Sequence, residues 1–111
     1  MKNMPYVFVT SYLPYNKTTE AAKKYVSVIK AHKSSIRGLT KTILPDALIA
    51  RKDYIEVTGI YDVEESKLNQ FLLAQQKYMT NYHQIEGYSY DIEVRFKITE
   101  ALEAIGIKPP E

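Results

Sequence analysis

Cysteine and tryptophan are absent from this chain, glycine occurs four times and proline five in 111 residues. Without a thiol there is no disulfide framework, no Cys-ligated zinc, no iron–sulfur ligation and no thiol nucleophile. So few glycines and prolines exclude a collagen-like or low-complexity chain, and a 45% hydrophobic content is not that of a disordered one. No apolar run approaches the roughly 18 residues that a membrane-spanning helix needs. Residues 1–5 carry one Lys and no apolar signal core, so the expected location is the cytoplasm, with no membrane partner. The length sets the expectation of one domain, 1–111, able to bury roughly two-thirds of its unfolded surface.

What is present is uneven in two ways. The net charge of +2 divides into a basic half and an acidic one: residues 1–52 hold ten Lys/Arg against Glu20 and Asp46, and residues 53–111 hold five against eleven carboxylates. Such asymmetry provides a basic surface for polyanions, or surfaces that neutralise one another within the fold or between subunits. The aromatic residues are also one-sided, since 10 of the 13 are Tyr. A phenol joins a large apolar body to a hydrogen-bonding tip, which suits interfaces and pockets for flat polar ligands.

Periodicity orders the chain. Tyr6 to Leu13 is β-branched and aromatic and stops at Pro14, as a first strand does. From Thr18 to Lys33 the residues Ala21, Ala22, Tyr25, Val26, Val28 and Ile29 recur at helical spacing, with Lys23, Lys24 and Lys30 on the outer face. Leu39 to Ala50 is strand-like but interrupted by Pro45-Asp46, which makes it bulged, broken or an edge. With Tyr54 to Tyr61 it forms an antiparallel hairpin. Asp62 and Glu65 have the spacing of a capping box before a second helix with Leu68, Phe71, Leu72, Tyr78, Met79 and Tyr82 on one stripe. The last strand, Tyr88 to Phe96, alternates cleanly, and Thr99 is placed to cap a short helix from Glu100 to Ile105.

The order β-α-β-β-α-β implies an α+β, ferredoxin-like sandwich: a four-stranded antiparallel sheet in the order 4-1-3-2, two helices on one face and a short C-terminal helix. With its interrupted second strand and short terminal helix, the chain resembles the dimeric α+β-barrel proteins, including small members of that class whose ligands are unassigned. The resemblance implies pairing of two chains through the open sheet faces, and it transfers no catalytic residue. Independently, both faces of Tyr6–Leu13 are largely apolar, so the face away from the helices needs a cover. A homodimer or higher oligomer is therefore expected.

No catalytic signature is present, and the candidates are residue types rather than motifs. His32 lies on the inner step of the first helix and His83 follows the second, each as a possible base or a helix-end residue. Neither has a partner at metal-ligand spacing, so no metal is expected. Gln75 interrupts the apolar stripe and either bonds the sheet or addresses a ligand. Tyr12, Glu56, Tyr90, Asp91, Glu93 and Arg95 are strand positions able to bind a polar ligand, or to form cross-strand pairs on a wet face. The leading expectation is a binding or assembly module without a cofactor of its own. The first alternative is a cofactor-free isomerase-, decarboxylase- or oxygenase-like enzyme acting on a small polar or aromatic molecule, with His83 or His32 as base, Arg95 as anion anchor and Tyr12 as donor. The second is polyanion or RNA binding through Lys23, Lys24 and Lys30. Lys41-Thr42-Ile43-Leu44 lacks the basic-Gly-aromatic signature, and a nucleic-acid partner is not favoured.

Overall fold

Strand alternation and register decide which side of the sheet each residue takes. A computed structural model of the chain describes residues 4–110. Lys2 of the basic half and the outermost residues of the expected 1–111 domain lie outside them. The elements are β1 (Tyr6–Leu13), α1 (Thr18–Ile36), β2 (Thr40–Ala50), β3 (Ile55–Val63), α2 (Leu68–Met79), β4 (Ser89–Arg95) and α3 (Ile98–Ala104). The four strands make one antiparallel sheet in the order β2-β3-β1-β4, the ferredoxin-like topology.

On β1, Val7 stands opposite Tyr61 and Val94, Val9 opposite Gly59 and Ile92, and Ser11 opposite Val57 and Tyr90. This set lies on the helix side, where Val7, Val9 and Tyr61 join Val63, Phe71, Met79 and Ile85 in the buried core, while Val94 at the end of β4 is exposed. The alternate set, Tyr6, Phe8, Thr10 and Tyr12 beside Ile60, Thr58, Glu56, Glu93 and Asp91, lies on the open face. Both crossovers into the helices are built alike. Pro14 and Glu64 are extended, a single 3-10 turn follows each (Tyr15–Lys17 and Glu65–Lys67), and the α-helix starts at the next residue. The expected capping box is therefore not formed. Asp62 is still inside β3, and its carboxylate accepts a 2.8 Å bond from Lys97 Nζ instead.

The second half of the chain departs from expectation at its end. β4 stops at Arg95, so Phe96 leaves the alternation and is 73% exposed rather than buried. α3 begins at Ile98, which puts Thr99 inside the helix. The carboxylate of Glu100 takes the cap role by accepting the backbone N–H of Lys97 at 3.1 Å, and its other oxygen accepts the Met4 N–H at 2.6 Å. Before β4, Gly87 has φ +81, and a Cβ there would stand 2.6 Å from Pro14 Cγ, so this turn needs glycine both for its backbone and for its closeness to the first crossover.

The interrupted strand is present as a bulge at an edge. β2 loses register between Thr42 and Leu44 and again between Leu44 and Ala47, leaving Pro45 and Asp46 outside the ladder. An extra residue in one strand re-aims the side chains around it. Asp46 is re-aimed toward the helix side of the sheet.

Candidate functional site

α1 packs on α2 but stands off the β2 edge, and the space between is a cleft of about 410 Å³. It opens to solvent between Val26 on α1, 75% exposed, and Leu48 on β2, 66% exposed, both of which line it. The volume lies within the range of small-molecule sites. Five of the ten tyrosines, Tyr25, Tyr61, Tyr78, Tyr82 and Tyr88, line this one cleft.

The inner wall is an aromatic row. The His32 ring stacks on Tyr78 at 4.0 Å, Tyr78 meets Tyr82 edge-on at 5.4 Å, and Tyr82 stacks on Tyr88 at 4.9 Å. Its polar tips are satisfied among themselves. Tyr78 and Tyr82 share a 2.5 Å hydrogen bond, and Ser11 bonds Tyr88. His32 Nε2 donates to Gln75 Oε1 at 2.9 Å. His32 is 6% and Gln75 2% exposed, so this pair links α1 to α2 through a buried neutral imidazole. Burial lowers the pKa of His32, an effect that the Gln75 bond only partly offsets. Burial also raises the phenols, Tyr88 to about 12 and Tyr61 and Tyr78 further still, so all three are neutral donors at working pH.

At the mouth stands Asp46, a residue that sequence reasoning missed. The residue sits on the exposed edge, but its Oδ1 reaches over Gly59, 2.8 Å from the point a Cβ would occupy there. The Tyr61 hydroxyl lies 3.3 Å from the same point. Tyr25 donates a hydrogen bond to the carboxylate, and Lys33 supplies positive charge nearby. Burial raises the Asp46 pKa, with Lys33 and Tyr25 pulling the other way. The signal for this site was in the sequence as Pro45-Asp46 within a strand and Gly59 in the next. It carried no meaning until register set the two side by side.

The other candidates are dispersed. Tyr12 and Arg95 are on the open face, where Tyr12 donates to Asp91 Oδ2 at 3.1 Å and the Arg95 guanidinium covers the Phe8 ring at 4.1 Å. Glu56, also on that face, meets Arg51 at 3.5 Å, and Arg95 reaches Glu93 at 3.3 Å. His83 and Tyr90 sit together at the outer edge of α2 and β4. Gln76 Nε2 donates to the Tyr90 hydroxyl at 2.7 Å, and the same hydroxyl shares a hydrogen bond with His83 Nε2 at 2.8 Å. The expected constellation of a His base with Arg95 and Tyr12 is therefore not assembled, because the sheet separates His32 from both and His83 bonds an edge residue. Lys23 and Lys30 are exposed on α1 and Lys24 is half-buried. Among the described residues, no three His, Asp or Glu gather as a metal site, and no helix is long and apolar enough to cross a membrane.

No family model matches the chain, and no curated protein matches it. Solved structures do. The de novo designed protein Foldit4 aligns at 9% identity over 85% of this chain and 98% of its own, with a TM-score of 0.52. The de novo designed Ferredog-Diesel aligns at 11% identity over 79% and 83%, with a TM-score of 0.50. A candidate monooxygenase from Shewanella loihica aligns at 18% identity over 87% and 96%, with a TM-score of 0.45. At these identities likeness extends to fold alone. The chain has the ferredoxin-like α+β fold.

Proposed function

We propose that the chain binds a flat, largely apolar small molecule bearing a hydroxyl or carbonyl group in the helix–sheet cleft, and that it does so as a homodimer without a resident cofactor. The observation that carries this reading is the concentration of five tyrosines and one carboxylate around a single cavity of about 410 Å³. Stacked rings offer their faces to an aromatic ligand, and the few polar tips orient it. The homodimer is supported by the open face, where Tyr6, Phe8 and Ile60 are only half-buried. Pairing of two such faces gives the dimeric α+β-barrel arrangement. A second reading, a cofactor-free enzyme, is favoured by the Asp46 carboxylate at the cleft mouth.

The test is titration with 2-naphthol followed by amide chemical shifts. Saturable shifts confined to cleft residues are expected. Ala22→Trp, which fills the mouth from α1, weakens binding at least about tenfold, or about 1.4 kcal/mol. Shifts that do not saturate, or that map to the open sheet face, overturn the reading.

A further inference from the structure

Resting on that reading of the cleft, we infer that Asp46 is a catalytic base that removes a proton from the carbon next to a carbonyl in the bound molecule, with the Tyr61 hydroxyl placed to hold the resulting enolate oxygen.

The geometry comes from three elements, the paired strands β2 and β3 and the helix α1. The double register shift in β2 takes Asp46 out of the ladder and turns its carboxylate to the helix side. Gly59 on β3 leaves the space it enters: a Cβ there would stand 2.8 Å from Oδ1. From α1, Tyr25 donates to the carboxylate and restrains it without consuming its charge. The carboxylate borders the apolar cleft at its exposed mouth, and Lys33 acts on it as a nearby positive charge. Burial moves its pKa upward, and a carboxylate of higher pKa is a stronger base.

The step balances without an oxidant or cofactor. Asp46 takes the proton from the α carbon, the C–H pair becomes the C=C of an enolate, and the carbonyl π pair moves to oxygen. That oxygen accepts the Tyr61 hydrogen bond, and burial keeps this phenol protonated and able to donate. The carboxylic acid then either trades that proton with solvent and delivers a solvent proton to the same carbon, or passes its proton to the far end of a conjugated system. The first outcome is exchange and the second is isomerisation, and neither changes the oxidation state.

The experiment uses 2-tetralone, a bicyclic ketone with activated α protons, in D2O, with proton NMR reading both its binding and the loss of its α signals. The wild-type chain is expected to accelerate exchange over buffer. Asp46→Asn lowers that rate roughly 100-fold while still binding. Gly59→Ala, which leaves every polar group in place but crowds Oδ1, lowers it as well, and His83→Gln at the outer edge leaves it unchanged. The rate rises with pH through the titration of Asp46, above the ordinary Asp value near 3.8. The groups facing it are Tyr25 and Lys33 from α1, Tyr61 from β3, and Tyr78, Tyr82 and Tyr88 across the cleft. Binding without exchange, or an Asp46→Asn variant as fast as wild type, overturns the base assignment and leaves the binding reading intact. Absence of 2-tetralone binding overturns both.

Discussion

At the scale of single residues, the pair His32 and Gln75 shows what the cleft costs to build. Each is a buried polar side chain hydrogen-bonded to the other, and together they bond helix to helix. Removing one leaves the other unsatisfied in an apolar wall, whereas removing both restores a consistent surface. His32→Leu and Gln75→Leu are each expected to lower folding stability by about 1–3 kcal/mol in urea titration. The double variant loses clearly less than the sum. The same burial sets a pH dependence. The folded pKa of His32 is lowered, so the unfolded chain holds the extra proton below the ordinary value of 6.5. The stability contribution of the neutral ring is complete above that pH and is lost as pH falls through the folded pKa. Asp46 acts in the opposite sense, since its raised folded pKa favours the fold at the acid end and that contribution is lost as pH rises through it. Urea midpoints at pH 7 and 5.5 read the first dependence, which His32→Leu with Gln75→Leu removes; the second begins above the ordinary Asp value of 3.8 and is removed by Asp46→Asn. Both His32 and Gln75 were legible in the sequence as polar residues on an apolar stripe. Asp46 was not, because its position depends on a bulge that no local propensity encodes.

At the scale of elements, the sequence reveals segments better than junctions. Strand alternation in Tyr88–Ile92 survives folding because one face is turned to the core, whereas in α1 Ala21 and His32 are buried, Val28 and Ile29 half-buried, and Tyr25 and Val26 exposed at the cleft. The capping box at Asp62 fails because β3 runs two residues further into its pairing with β1 and β2, and both helices are entered through a 3-10 turn instead. The freed Asp62 carboxylate receives Lys97, whose ammonium also lies 4.9 Å from the centre of the Tyr6 ring. This contact ties the start of α3 to the sheet. Lys97→Met is expected to cost about 1 kcal/mol of global stability and to speed amide exchange in α3 relative to the core strands. Equal α3 exchange in wild type and Lys97→Met would show that Glu100, through the Met4 and Lys97 N–H groups, holds the helix. Pro45 belongs to the same scale. It denies the β2 edge a ladder donor and sits in the segment that re-aims Asp46, so it serves both edge protection and the cleft.

At the scale of the molecule, the dimensions carry an argument for assembly. The described chain measures 49 × 32 × 19 Å with a radius of gyration of 15.9 Å, against roughly 13 Å for a compact domain of this length. The thin axis is close to one sheet and one helix layer, and among the described residues Tyr6, Phe8 and Ile60 on the open face stay only half-buried. On that face Phe8 lies under Arg95, Tyr6 under Lys97 and Ile60 between them and β2, an apolar strip with charged rims. Stacking a second sheet about 10 Å away buries the strip and brings the rims of two copies together. Light scattering at micromolar concentration is therefore expected to give twice the chain mass of 12.8 kDa. Phe8→Glu combined with Ile60→Lys is expected to give the single-chain mass with unchanged far-UV circular dichroism. The charge asymmetry of the sequence makes a separate prediction here. Lys23 and Lys24 are on α1, across the sheet from the strip, so Lys23→Glu with Lys24→Glu leaves the assembled mass unchanged if the sheets pair. Dissociation by the lysine variant, with Phe8→Glu and Ile60→Lys silent, would place the interface on the helix layer, and the mouth of the cleft would then lie within it.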